Sequence, residues 1–154
     1  MGYDFILWIV AFVYALHFTE LRILNWVEWG GKSARLALTE KDLSTLYVGI
    51  FVLAVGTALV GWRQPEFSLI LPALAFWDSI LFFSWAIRVR RIILPGMITN
   101  ILLFVVALVA YYLAYLDVVL SLLAFIVSAI GGLLVTLHFM FLLLVRAWFA
   151  RIRL

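Results

Sequence analysis

The side chains of this sequence that could do chemistry are few, and each stands inside an apolar run. His17 and Glu20 are three residues apart within YALHFTELRILNWVE, residues 14–28, so a helix carries both on one face, with Tyr14 one turn before and Asn25 two turns after. Asp78, Asn100 and His138 each interrupt a further apolar run. In hydrocarbon an ionisable side chain is kept only if it is partnered, reaches a watery cavity or performs a reaction. Two histidines and two carboxylates would hold a divalent metal such as zinc, iron or manganese, or would run acid–base chemistry. On that reading His17, Glu20 and Asp78 are the catalytic candidates. His17, Glu20 and His138 are the candidate metal ligands, and Tyr14, Trp77, Asn100 and His138 line a bound ligand. Two histidines at equal depth also suit the axial positions of haem b, with Gly131 seven residues before His138 leaving room for the ring.

These groups need elements to hold them, and composition says which. The chain has 154 residues, 68% hydrophobic and 12% charged, whereas soluble domains run at roughly 45–50% apolar and about 25% charged. This is the composition of an integral membrane protein, and the spans leave no length for a separate soluble domain. Five all-α spans are expected within one transmembrane domain, residues 1–154, at about 4–27, 43–62, 67–87, 92–116 and 118–145. The first is read as one continuous helix that ends at Gly30-Gly31. Thr39, three residues before Asp42, has the pattern of a capping box opening the second span. Pro95-Gly96 falls in the first turn of the fourth, where a missing amide costs least. The absence of cysteine removes disulfides, thiolate catalysis and iron–sulfur clusters. With Asp4 and no basic segment before it, the first apolar run reads as a retained span rather than a cleavable signal.

Five spans alternate sides. Arg22, Lys32, Arg35, Lys41, Arg88, Arg90, Arg91, Arg146, Arg151 and Arg153 then fall on one side, and Arg63 alone on the other. The positive-inside rule puts the N-terminus out and the C-terminus in, in the cell membrane. The same asymmetry makes the net charge of +3 a topology signal, not a nucleic-acid footprint. Counted from the inner ends, His17, Asp78, Asn100 and His138 all lie roughly 12–15 Å deep at 1.5 Å per residue, a polar layer on the cytoplasmic half. Ala124, Ser128, Gly132 and Thr136 recur every four residues in the last span, a small-residue ridge for close helix approach. That ridge points away from His138, so the last span has two faces to bury, one of them a candidate subunit contact. Trp26, Trp29, Trp62, Trp85 and Trp148 fall near span ends, where aromatic belts belong.

His17-Phe-Thr-Glu20 on the first span and Arg91-Ile-Ile-Leu-Pro95-Gly96-Met-Ile-Thr99 opening the fourth resemble the HXXEE-domain family. The resemblance implies a small multi-span membrane protein of proposed enzymatic character. Leu21 stands where that family has its second glutamate, and Asp78 and Phe82 stand where an asparagine and a histidine would be expected. Thr45-Leu-Tyr47 and Leu81-Phe-Phe83 are loosely similar to the tryptophan-rich sensory protein family, whose proline-rich first loop has no counterpart here.

The leading function is a membrane-embedded enzyme or ligand-binding protein acting on a lipid-soluble small molecule through His/carboxylate acid–base or metal chemistry. The alternatives are a structural or accessory subunit of a larger complex, alone or as a homo-oligomer, and a haem b anchor or proton-linked transporter. Conduction would need polar groups through the outer half, which offers only Asp4, Asp117 and a few tyrosines.

Overall fold

The computed structural model of the chain describes residues 2–34, 39–90 and 94–152. Among these there is no strand, and five helical segments are long and apolar enough to cross a membrane: Tyr3–Ile23, Glu40–Arg63, Pro65–Arg88, Met97–Leu116 and Leu122–Leu142. They are built from α1 (Ile6–Ile23), α3 (Glu40–Val60), α4 (Pro65–Ser68) with α5 (Ile70–Arg88), α6 (Met97–Leu116) and α7 (Leu122–Ile152), while α2 (Trp26–Ala34) is a short helix between the first two. Arg35, Arg91, Ile92 and Arg153 lie outside the described residues.

Local chemistry sets the boundaries. Thr39 and Asp42 form the capping box, Asp42 N–H donating to Thr39 Oγ1 at 3.2 Å and Thr39 N–H to Asp42 Oδ2 at 3.1 Å. The first helix is not continuous through residue 27. Asn25 turns to φ 50, a left-handed conformation that asparagine tolerates, and α2 begins anew at Trp26 and runs through Gly30-Gly31 to Ala34. α6 starts at Met97 rather than inside the preceding apolar run. Leu94 is restricted by the following proline, and Gly96 takes φ 88 at the N-cap, a conformation that ends any helix entering from before. α7 starts at Leu122 after a connection in which Val118 has positive φ. Its cap is Ser121, whose Oγ accepts the Ala124 N–H at 3.0 Å. Pro72 sits in the first turn of α5, where its missing amide has no intrahelical duty.

Lipid is as apolar as leucine, so the bundle is held by close packing and interhelical hydrogen bonds rather than by hydrophobic burial. α1 packs against α3, α5 and α6, and α5 against α6 and α7. The core runs from Leu7, Val10 and Tyr14 to Ile50 and Ala54, Leu74 and Ala75, and Leu103, Ala107 and Ala110. The ridge on α7 is buried at all four positions and packs on α4 and α5. At Gly132 a Cβ would lie 2.5 Å from Ala73 Cβ and 2.6 Å from the Leu74 amide, so no side chain fits there. At the end opposite α2, Asp117 Oδ2 accepts the Tyr3 N–H at 2.5 Å and the Trp62 indole N–H at 2.7 Å, tying three helix ends together.

Candidate functional site

Glu20 and Thr99 join α1 to α6. The N-cap of α6 is Gly96, which has no side chain to satisfy the free amides of the first turn. Glu20 does so from the neighbouring helix. Its Oε2 accepts the Thr99 backbone N–H at 2.9 Å and also the Thr99 hydroxyl, a carboxylate at the positive end of a helix dipole. The close approach this needs is permitted at Gly96, where a Cβ would fall 2.5 Å from Leu21 Cδ2 and 3.0 Å from His17 Cε1.

The same hydroxyl bridges to His17, whose Nδ1 lies 2.8 Å from Thr99 Oγ1. With the hydroxyl proton donated to Glu20, Thr99 offers His17 only a lone pair. His17 must then carry its proton on Nδ1 and leave Nε2 bare, a tautomer assigned from the network. The imidazole is 6% exposed and lies among rings, with Tyr47 and Phe82 centroids each 6.2 Å away. His17, Thr99 and Glu20 thus form one hydrogen-bonded chain in which a carboxylate, one hydroxyl removed, orients a buried imidazole.

Asp78 belongs to a second group. Its Oδ2 accepts the Tyr14 hydroxyl at 3.1 Å and its Oδ1 the Thr136 hydroxyl at 3.2 Å, so the bonds run from α1 through α5 to α7. Tyr47 stands between the two groups. It stacks on Phe18 at 4.7 Å, has the His17 ring 6.2 Å away, and packs against the core cluster that holds Tyr14. Asn100, next to Thr99, is 1% exposed. Its backbone carbonyl accepts from Ser79 at 3.2 Å, while its side-chain Nδ2 is without a partner among the described residues. Trp77 is spoken for by packing, its indole N–H donating to the Ala129 carbonyl of α7 at 3.0 Å.

His138 corrects the expectation of one shared site. It lies on the exposed outer face of α7, with Phe139 as its ring neighbour among the described residues. Thr136 is the buried ridge position at that depth, and two residues at about 100° each put His138 nearly opposite it. The metal set His17, Glu20 and His138 therefore does not come together, and among the described residues no group of three or more His, Cys, Asp or Glu converges. The two histidines face different surroundings, so they do not form an axial pair for haem b, and Gly131 packs against Ile70 instead. Asn25 also stands apart, lining an open groove of about 250 Å³ with Leu24, Glu28 and Trp29.

The partners that sequence reasoning passed over are Thr99, Thr136 and Tyr47. Thr99 carried a signal, a hydroxyl in the first turn after Pro-Gly on the span facing His17. Thr136 was visible only as a member of the ridge.

Five apolar helices with buried interhelical hydrogen bonds define a polytopic all-α membrane protein. Compared with known protein families, with characterised proteins and with solved structures, the chain matches none of them significantly.

Proposed function

We propose that the chain is a membrane-embedded acid–base protein for a lipid-soluble small molecule, with His17 as the base and Glu20 acting on it through Thr99. The observation that carries this reading is the hydrogen-bonded chain itself, Nδ1 of a buried imidazole on Thr99 Oγ1 and Thr99 on Glu20, which assigns the ring proton to Nδ1 and makes Nε2 the acceptor. When Nε2 takes the proton, the Glu20 carboxylate stabilises the imidazolium across the hydroxyl. Asp78, held by Tyr14 and Thr136, is the second polar group, and the Tyr47 ring packs beside His17. The two stretches that resemble the HXXEE-domain family meet at this point, His17 and Glu20 from one and Gly96 and Thr99 from the other, which supports an enzyme over a passive ligand carrier. The site then lies on the cytoplasmic half, with the N-terminus out in the cell membrane.

The test is native mass spectrometry of the gently purified full chain together with lipid profiling of cells that overproduce it. A bound small molecule lost in His17→Ala and Asp78→Leu but kept in His138→Leu is expected. Identical lipid profiles for wild type and His17→Ala, with no bound molecule, would remove the enzyme reading. Single cysteines at Gln64 and Arg90 test the orientation, and only the first should label from outside sealed cells.

A second reading rests on a different fact. Glu20 is the helix cap that Gly96 cannot supply, so the same bonds clip α1 to α6 in a structural or accessory subunit.

A further inference from the structure

His138 is a polar side chain on a surface that is otherwise hydrocarbon. Around it on the outward face of α7, Leu123, Val127, Ile130, Leu134, Leu137 and Phe141 are 40–63% exposed. Their spacing is 4, 3, 4, 3 and 4, which keeps one stripe in line along the helix. His138 flanks that stripe, one turn from both Leu134 and Phe141. A neutral imidazole carries one donor and one acceptor, and in lipid neither finds a partner. His138 is exposed, and its ring neighbour among the described residues is the adjacent Phe139. α7 is also the span least covered by its own chain, with 22% of its window buried against 28–44% for the other four.

We propose that this face of α7 is a contact with a second copy of the same chain, arranged about a twofold axis that brings the two His138 side chains together. The chemistry selects the occupant. An imidazole is complementary to another imidazole, one ring donating N–H to the bare nitrogen of its mate. A twofold contact sets each residue opposite itself or its near neighbours on the same stripe. The 3-4 spacing suits the shallow left-handed crossing common to helix pairs in membranes. The small residues of α7 are already used inward against Ala73 and Leu74, so the outer contact is one of large side chains interleaved around a polar centre. This contact lies on the opposite side of α7 from Thr136 and is independent of the acid–base reading.

The experiment is disulfide cross-linking of the full chain in native membranes, with single cysteines at Leu134, Phe141 and, as a control on a lipid-exposed face of another helix, Val52. The chain has no native cysteine to confuse the result. Covalent dimers are expected at Leu134→Cys and Phe141→Cys and not at Val52→Cys. Adding His138→Leu should lower the cross-linked fraction roughly three-fold or more, the scale of one interhelical hydrogen bond in a membrane. His138→Asn, which also carries both a donor and an acceptor, should restore it. Equal cross-linking with leucine at 138, no dimer at either site, or cross-links only to a different protein would each overturn the proposal.

Discussion

Glu20→Ala separates the two duties of the Glu20 carboxylate. The variant removes both bonds at once, but the two donors on Thr99 are not equally stranded. The hydroxyl can turn, because Gly96 O already lies 3.4 Å away and His17 Nδ1 2.8 Å away. The amide cannot turn, and an unsatisfied buried donor costs about 1–3 kcal/mol. Losing a carboxylate at a helix N-terminus adds about 0.3–1 kcal/mol. The insertion cost of Glu20 itself largely cancels, since α1 stays in the membrane or micelle in both states. Glu20→Ala should therefore destabilise the bundle by roughly 1.5–4 kcal/mol, measured by unfolding in mixed detergent micelles. Glu20→Gln, whose side-chain oxygen still accepts from both donors, should lose roughly 1 kcal/mol or less. A second readout is independent of stability. In Glu20→Ala the freed hydroxyl proton points to Nδ1, so His17 should switch its own proton to Nε2, visible in its ring ¹⁵N shifts, while Glu20→Gln keeps the wild-type tautomer. An alanine variant with unchanged stability and an unchanged His17 tautomer would refute the hydrogen-bonded chain.

Two other substitutions test the packing and the second polar group. Gly132→Ala should destabilise by about 1–3 kcal/mol, the usual range for overpacking, because its Cβ meets Ala73 and the Leu74 backbone. Gly56→Ala, with nothing within 4 Å of the new methyl, should be neutral or stabilising by roughly 0.5–1 kcal/mol; equal effects at the two positions would mean that α7 does not approach α5 as closely as described. Tyr14→Phe and Asp78→Leu should each destabilise, and a double-mutant cycle between them should return a coupling of about 0.6–1.7 kcal/mol. Zero coupling would remove the α1–α5 bond from the account.

Much of the fold was legible because the bilayer constrains it. Span number follows from length and apolarity, and the Thr39–Asp42 box and the α7 ridge follow from short-range patterns with one physical meaning each. What misled was continuity. Apolar runs do not mark where a helix breaks in a membrane, since the residues on both sides of the break are equally apolar. The breaks at Asn25, Gly96 and Val118 are decided by single backbone conformations. Only the glycine advertises its conformation clearly, and Ser121 was a cap signal lying inside a run that looked uninterrupted.

The candidate site was legible in depth and not in angle, and the geometry of one helix explains why. Tyr14, His17 and Glu20 are each three residues apart, and at about 100° per residue each step moves 60° around α1, so the outer two are separated by about 120°. A face that wide meets two neighbours in a bundle. Tyr14 therefore reaches Asp78 on α5, Glu20 reaches Thr99 on α6, and His17, between them, follows the α6 side because Gly96 lets the helices close there. One sequence cluster becomes two hydrogen-bonded groups with Tyr47 between them. For His138 the same arithmetic runs the other way. Its depth is shared with the polar layer, but its azimuth is set by the ridge, which must take the α5 side because only small residues permit that approach. A polar residue nearly opposite an obligatory packing face is directed outward whatever its depth, and the contact proposed for α7 would give it a partner on a second copy of the chain.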